Sequence, residues 1–326
     1  MKVTLQHLAD LLKLSRATVS LALRDDERIN EKTRARVQAL ALELDYQPNQ
    51  AAASLRTQIS RNIWVIISSI EGKFDRDLLN ELTKYFTKYG YDCFVVFHLE
   101  DSDRYDRLIK KLLHSLADGA VIVPRRLVHD FGILKNIPLR GFPSVLVDVD
   151  VSGLGLSLIT SDPRPAIFEM VTSCLQKGCE NFIISSPLDN SVSRSRFGAF
   201  KDAISTNGCL RETDDIDECF WKSLDSESPF VIISDSQEGI LCFSERWSSE
   251  LLGREFYFIC FDEWLGSVAP AKGVYVSSQN AKSIAHGAVQ QLLSIIRKEL
   301  PLVSDEGRIH STPHLPFTFL SNLADV

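Results

Sequence analysis

The chain opens with three amphipathic segments whose apolar residues recur at the spacing of an α-helix. They cover residues 5–12, the stretch after Ser15, and residues 31–44, and each follows a residue that can cap a helix (Thr4, Ser15 and Asn30). The positions predicted to face a small core are Leu5, Leu8, Ala9, Leu12, Val19, Ala22, Leu23, Val37, Leu40, Ala41 and Leu44. Two short helices joined by a tight turn and supported by a third predict an all-α helix-turn-helix domain over residues 1–46.

A short alanine-rich segment follows the third predicted helix. Pro48 within Tyr46-Gln47-Pro48-Asn49 cannot continue a helix but can begin one. The residues after it hold a single leucine, Leu55, beside three alanines. A helix this short is marginal in isolation. We therefore expect residues 47–61 to be a hinge, with a helix over about 49–57 that forms when something holds it.

From residue 62 onward, apolar strands alternate with amphipathic helices. The predicted strands are 63–68, 93–98, 120–124, 144–148, 182–186, 230–234 and 256–261, and the predicted helices are 78–89, 105–116, 166–177, 196–207, about 237–251, and 281–298. This alternation indicates parallel sheets built from right-handed crossovers. We expect an α/β body over 62–326 with two doubly wound parallel-sheet lobes, about 62–160 and 162–290, the C-terminal part crossing between them.

Composition limits the class of protein. Hydrophobic residues make up 44% and charged residues 24% of the chain, as in a soluble globular protein with a sizeable core. No apolar run is long enough to span a membrane, and the N-terminus lacks a secretory signal, so we expect a cytoplasmic protein. The seven cysteines form no Cys-x-x-Cys pair and have no histidines at zinc-ligand spacing, so we interpret them as buried reduced thiols.

The charge is distributed unevenly. The net charge of −7 argues against a nucleic-acid partner for the chain as a whole. Residues 1–61, however, hold ten Lys and Arg against seven Asp and Glu, which leaves the remainder at −10. A basic N-terminal segment on an acidic body suggests two domains with different partners.

The first 57 residues closely resemble the DNA-binding head of the lactose/galactose repressor (LacI/GalR) family. The resemblance rests on T-V-S at 18–20, K-T-R-x-x-V at 32–37, Y-x-P-N at 46–49 and S-L at 54–55. The two predicted lobes resemble the family's effector domain, which is like a periplasmic binding protein. The resemblance implies a sequence-specific transcriptional regulator, most often a repressor, whose operator affinity changes when a small-molecule effector binds between the lobes.

A helix in the major groove presents its N-terminal residues to base edges, and an arginine there can bond guanine O6 and N7. The resemblance implies that Arg16 and Ala17 read bases, and Leu21 stands where some relatives carry an arginine. Leu55 resembles the hinge leucine that wedges into the minor groove. Alternatively, Ser15 and Asn30 serve only as helix caps, and Arg16 is merely solvated. The predicted DNA-binding residues are Thr4, Ser15, Arg16, Ala17, Thr18, Ser20, Leu21, Asn30, Asn49, Ala52, Ala53 and Leu55.

Polar residues follow several predicted strands of the body, where open α/β sheets bind ligands. Arg196 resembles the family's ligand-clamping arginine, and Asp262 in Cys260-Phe261-Asp262-Glu263 matches its G-F-D-D. An arginine and a carboxylate, with Trp264 or Phe74 as a stacking face, would suit a sugar. Each of these can also be an ordinary loop residue. The predicted effector-binding residues are Ser69, Phe74, Asp162, Arg196, Asp235, Asp262 and Trp264.

Several positions depart from the family pattern. Gly72-Lys73-Phe74 replaces Asn-Pro-Phe, Asp162-Pro163 replaces Asp-Asn, Asp235-Ser236 replaces Asn-Asp, and Val149 replaces an arginine. Polar contacts to a ligand are therefore altered, and we expect an unusual or weakly bound effector.

Two other classes of protein share some of these sequence features. A solute-binding protein would share the two-lobed body but would need a signal peptide. An enzyme is disfavoured, because the chain lacks G-x-x-x-x-G-K-[ST], G-x-S-x-G and H-E-x-x-H. We expect no cofactor, no metal and no membrane partner. The expected partners are double-stranded DNA with a partly palindromic operator, at the nucleoid, and a second copy of the chain; pairing of dimers into tetramers stays open.

Overall fold

The structure is a computed structural model that describes residues 3–47, 59–124, 132–151, 153–185, 191–205, 208–212, 216–224, 228–266, 271–303, 309–313 and 318–321. Contacts between Cα atoms divide the chain into two compact units, Met1–Ser60 and Arg61–Val326. Within the described part of the chain, no helix combines the length and the apolarity needed to cross a bilayer.

The first unit contains three helices, α1 (Leu5–Leu12), α2 (Arg16–Ala22) and α3 (Glu31–Glu43). Their N-termini are capped by side-chain oxygens: Thr4 accepts from the His7 N–H, Ser15 from the Thr18 N–H at 3.0 Å, and Asn30 from the Thr33 N–H at 2.8 Å. The apolar positions predicted from helical spacing all lie in the core of the unit or pack against it. The predicted helix-turn-helix fold is confirmed.

The second unit alternates strands and helices. The strands are β1 (Asn62–Ile67), β2 (Asp92–Phe97), β3 (Gly119–Ile122), β4 (Ser144–Val147), β5 (Ser157–Asp162), β6 (Asn181–Ile184), β7 (Cys209–Glu212), β8 (Phe230–Ile233), β9 (Phe256–Phe261), β10 (Gly273–Ser277), β11 (Ile309–Pro313) and β12 (Thr318–Ser321). The α-helices are α4 (Lys73–Lys88), α5 (Ser102–Leu113), α6 (Asn136–Leu139), α7 (Arg164–Gln176), α8 (Ser191–Ile204), α9 (Glu218–Ser223), α10 (Gln237–Arg246), α11 (Ser248–Leu251) and α12 (Ala281–Ile296), with a 3₁₀ turn at Gly132–Lys135.

These strands form two six-stranded sheets, each the centre of one lobe. The first has the order β11-β5-β4-β3-β1-β2 and the second the order β12-β10-β9-β8-β6-β7. Neighbouring strands are parallel except β10 and β12, which are antiparallel. The predicted fold class of two parallel-sheet lobes is therefore confirmed, with one antiparallel edge strand that the sequence did not indicate.

Helix α12 corrects the predicted lobe boundary. The sequence placed residues up to about 290 in the second lobe, but α12 packs on α4, β3 and β4 of the first. Its buried face, including Ile284, Val289 and Leu292, belongs to the same core as Leu78 and Leu82 of α4. The chain therefore returns to the first lobe directly after β10, before the predicted boundary at about residue 290.

The cysteines only partly follow the prediction. Cys174, Cys179 and Cys260 are buried, whereas Cys209, Cys219 and Cys242 are exposed and Cys93 is partly buried. All seven are free thiols. The prediction of buried thiols is thus wrong for the three exposed residues, which lie on a strand and helices at the periphery of the second sheet.

Gly119 allows α12 to lie close against β3. A Cβ atom at this position would lie 3.0 Å from Cδ1 of Leu292 and 3.0 Å from the carbonyl oxygen of Pro143. We expect Gly119→Val to lower the free energy of unfolding by about 1–3 kcal/mol, because α12 must shift to accommodate the methyl groups. Urea denaturation of the full chain measures this. Gly198→Ala is the control, since a Cβ there meets nothing within 4 Å; an equal loss in both variants would contradict the packing argument.

Candidate functional site

The carboxyl ends of strands from both sheets surround a cavity of about 540 Å³. Ser69 follows β1, Asp235 follows β8, and Asp262 follows β9, and all three line this cavity together with Phe74. Four of the seven residues predicted to bind an effector are therefore brought together. Their position agrees with the general location of ligand sites in open α/β sheets.

Arg196 of α8 lines a second cavity and is paired with two carboxylates of the first. Its side chain is only 6% exposed, and its Nη1 lies 2.9 Å from Oδ1 of Asp235. Its Nη2 lies 3.7 Å from Oδ2 of Asp262, and the guanidinium stands 4.0 Å from the centre of the Phe261 ring. A buried guanidinium needs such partners, because removal from water is costly for an uncompensated charge.

The second cavity, of about 470 Å³, is lined by Asp162 and Arg196. The carboxylate of Asp162 receives two hydrogen bonds from Arg164, at 2.9 and 3.1 Å. This pairing raises the pKa of the Arg164 guanidinium above its usual value. Asp148, which follows β4 and is 2% exposed, also faces this cavity. Asp162 is thus held by a neighbouring side chain, apart from the cluster around Arg196.

Asp148 and Asp262 occupy equivalent places in the two lobes. Both follow a strand and have left-handed backbone, with φ of 70° and 66°. The N–H of Asp148 donates to the carbonyl of Ile159, and that of Asp262 to the carbonyl of Ser277, each on the adjacent strand. Aspartate tolerates this conformation better than most side chains do. Each lobe therefore holds one carboxylate directly after a strand, in the same backbone conformation.

Other polar contacts of the cleft were missed from the sequence. Ser193 donates to Oδ2 of Asp235 at 2.6 Å, and the N–H of Gln279 donates to Oδ1 of Asp262 at 3.2 Å. Between the lobes, Arg76 of α4 pairs with Glu263 at 3.1 Å. Ser193 precedes Arg196 by three residues on α8, so its place on the same face of the helix could have been predicted. Gln279 could not, because it follows β10, a strand that the sequence does not predict.

Two predicted aromatic contacts need correction. The Trp264 ring is tilted against Phe258 with centroids 5.5 Å apart, in the core on the other face of the second sheet, and it does not line the cavity. Phe74 lines the cavity but is 4% exposed and packs in the core of the first lobe. Neither ring therefore presents an open face on which a sugar could stack in this structure.

Cys260 lies beneath the cluster at the end of β9. Burial raises the pKa of its thiol to about 12, so the thiol is protonated at neutral pH. Its Sγ lies 3.6 Å from the carbonyl oxygen of Phe261, toward which it donates. Cys260 adds no negative charge to the cleft. Among the described residues, no group of three or more His, Cys, Asp and Glu could hold a metal ion.

In the head, the start of α2 is exposed. Ser15, Arg16 and Ala17 are exposed, while Thr18 and Leu21 are half-buried. The hydroxyls of Ser15 and Thr18 lie 2.8 Å apart and share a hydrogen bond. Thr4 and Asn30 are exposed caps, and Ser20 accepts a hydrogen bond from Arg24 at 2.8 Å. The N-terminal edge of α2 is therefore accessible, although several of its hydroxyls already have partners.

Two further side chains, missed from the sequence, hold the head together. Arg34 of α3 donates to the carbonyl of Ile29 at 2.9 Å and pairs with Asp25 at 3.0 Å. Gln38 donates to the carbonyl of Ala22 at 3.3 Å, which ties α3 to the end of α2. The predicted hinge residues Asn49, Ala52, Ala53 and Leu55 lie outside the described residues.

Comparison with known proteins identifies the head. Residues 4–49 match the family model described as bacterial regulatory proteins, lacI family. Residues 4–49 therefore form a lacI-family head. Within this family head, the matched residues include all of α1, α2 and α3, and so every predicted DNA-binding residue before the hinge, together with Asn49.

Known transcriptional regulators match a longer part of the chain. The regulator IdnR of Escherichia coli is 24% identical over 62% of this chain and 61% of its own length. The regulator PtxS of Pseudomonas aeruginosa is 27% identical over 66% of this chain and 64% of its own length. Less than two thirds of each relative is matched. The Lac repressor dimer bound to operator and the anti-inducer ONPF has a TM-score of 0.76 at 16% identity, covering 99% of this chain and 100% of that one, which shows a shared fold.

The cluster around Arg196 makes a testable contribution to stability. Arg196→Met leaves Asp235 and Asp262 facing each other without their cation. We expect a loss of about 3 kcal/mol in the free energy of unfolding, because breaking a buried pair leaves uncompensated charge. Urea denaturation measures this loss. Adding Asp235→Asn and Asp262→Asn to the same chain should recover part of it.

The matched control is Arg164→Met, which removes an arginine from a pair whose arginine side chain is 66% exposed. That change should cost less than about 1 kcal/mol. Equal losses for the two arginines would contradict a special role of the buried cluster.

Proposed function

We propose that the chain is a sequence-specific DNA-binding transcriptional regulator whose operator affinity changes when a small molecule binds between its two lobes. The observation that carries the proposal is the exposed N-terminal edge of α2 in a lacI-family head. It is supported by the cavity at the carboxyl ends of both sheets. The relatives named above are transcriptional regulators, which favours this function over catalysis.

DNA reading is assigned to the start of α2. A recognition helix presents its first residues to base edges in the major groove, and Arg16 has the donor geometry for guanine. Ala17 and Leu21 add apolar contacts, and Leu21 changes the half-site relative to family members with arginine there. Thr4, Ser15, Thr18, Ser20 and Asn30 supply hydroxyls, an amide and N–H groups for phosphates.

The assembly and the response follow from the same proposal. A partly palindromic operator requires two heads, so the regulator acts as a homodimer in the cytoplasm. An effector changes operator affinity only if it prefers one arrangement of the lobes. The ion pair between Arg76 and Glu263 joins the lobes, so it is one contact that differs between a closed and an open cleft. The Lac repressor dimer bound to operator and an anti-inducer is a precedent for this architecture.

Site selection from a random DNA pool with the full chain tests the proposal. Arg16→Ala should weaken operator binding by about 1–3 kcal/mol and relax the preference at one base pair of each half-site. Arg36→Ala is the control, because it removes the same charge from an exposed position on α3. The control should leave the preference at every base unchanged. A chain that selects no palindromic site at moderate salt would refute the proposed function.

The hinge leucine has its own test. An apolar wedge in the minor groove unstacks a base step at a cost of a few kcal/mol and bends the duplex. Leu55→Ala should therefore reduce the bend angle of bound DNA, measured by energy transfer between dyes at the duplex ends, without unfolding the head. Leu42→Ala removes a leucine that is 86% exposed on α3 and is the matched control. An unaltered bend in Leu55→Ala would exclude the wedge.

A further inference from the structure

The cavity between the lobes is strongly acidic. Seven carboxylates and a single lysine line it among the described residues. The acidic residues come from both lobes: Glu71 and Glu100 belong to the first, and Glu238 and Glu263 to the second. The wall that a ligand meets therefore carries negative charge on both sides.

The basic groups at this cavity already have acidic partners within the protein. Lys73 pairs with Asp77, and Arg76 pairs with Glu263 at 3.1 Å. Arg196 is neutralised by Asp235 at 2.9 Å and Asp262 at 3.7 Å. An incoming phosphate or carboxylate would share these cations with their carboxylates while approaching the remaining ones. Repulsion from the carboxylates therefore opposes its attraction to the cations.

Two of the carboxylates are available to a cation. Glu71 and Glu238 are exposed, and neither forms an ion pair with another residue that the structure describes. They face the same cavity from opposite lobes. A positively charged ligand between them removes a repulsion that otherwise opposes approach of the lobes, so it binds the closed arrangement better than the open one.

A hydroxyl group of a ligand can also provide a hydrogen-bond partner for the side chain of Arg196. The Nε of Arg196 is buried and has no hydrogen-bond partner among the described residues. Arg196 is 5% exposed, lines the second cavity, and is paired with Asp235 and Asp262 of the acidic one. A buried donor without an acceptor costs free energy, and a hydroxyl oxygen of a ligand can accept from it. Ser69 at the end of β1 offers a further hydroxyl to the same cavity.

We propose that the effector is a polyhydroxylated molecule carrying a protonated amine, such as an amino sugar, and that the site rejects phosphorylated and carboxylated sugars. The inference rests on the proposed function, because it names the chemistry of the effector in that cleft. The amine lies between Glu71 and Glu238, and the hydroxyls contact Ser69 and, toward the second cavity, Arg196.

Calorimetric titration of the full chain with matched sugars tests this. The probes are D-glucosamine, D-glucose and D-glucose 6-phosphate, and the corresponding derivatives of D-galactose and D-mannose. We expect at least one amino sugar to bind about tenfold more tightly than its parent, since a hydrogen bond to a charged group is worth that factor or more. Its affinity should fall as salt is added. The phosphate esters should not bind.

Variants assign the preference to this cavity. The double variant Glu71→Gln/Glu238→Gln should reduce the preference for the amine over the parent about tenfold, for the same reason. Glu238→Gln, at an exposed position, should reduce it about two- to threefold and guards against a folding defect in the first variant. Glu245→Gln is the matched control, because it makes the same change on α10 but outside the cavity. It should leave the preference unchanged.

Three results overturn the inference: tighter binding of any phosphate ester than of its parent sugar, an amine preference unaffected by both cavity variants, or no binding of any amino sugar. Site-selective DNA binding by the ligand-free chain is measured on the same preparation. If DNA is bound selectively and a phosphate ester is preferred, only the inference fails. If an amino sugar binds as described and no DNA site is selected, the proposed function fails instead.

Discussion

The buried guanidinium of Arg196 is the group on which the arrangement of the cleft depends. A cation at 6% exposure is tolerated only with carboxylates beside it, and here these come from the ends of β8 and β9. Asp235 is in turn held by Ser193, and Asp262 by the N–H of Gln279. The cluster therefore joins α8, two adjacent strands and the segment that leads back to the first lobe.

The same cluster determines what kind of field a ligand encounters. In a cleft with an unpaired arginine, positive charge would attract an anion. Here the arginine is paired with carboxylates of its own lobe, and the cavity beside it is lined by seven carboxylates and one lysine among the described residues. Stability and selectivity thus depend on the same ion pairs, since the contacts that compensate burial of Arg196 also remove it as an anion receptor. The replacement of the family's arginine by Val149 is consistent with this shift toward negative charge, whereas Asp235-Ser236 carries one carboxylate, as Asn-Asp does.

The head could be predicted almost completely because its determinants are local. Cap residues, helical spacing and a short turn all lie within 45 residues, and α1 begins and ends where the spacing indicates. In the body, the run Phe256–Phe261 is apolar throughout and therefore predicts a strand. The sequence does not predict β7, because β7 is a largely exposed edge strand without an apolar run. The pattern of α12 predicts a helix but not which sheet it covers. That choice depends on the path of the chain through three dimensions.

The sequence predicts those site residues whose position follows from the end of a strand. It does not predict those whose role depends on the direction in which the side chain points. Asp262 follows an apolar strand, and its left-handed backbone, shared with Asp148, is one that aspartate adopts readily. The sequence alone therefore places a carboxylate there. Trp264, two residues later, could turn to either face of the sheet. Gln237 accepts from the N–H of Leu265 at 2.7 Å and holds this loop, and the indole packs on Phe258 instead of facing the ligand. The rings of Trp264 and Phe74 therefore contribute to the cores of the two lobes, and the polar groups at the strand ends form the accessible part of the cleft.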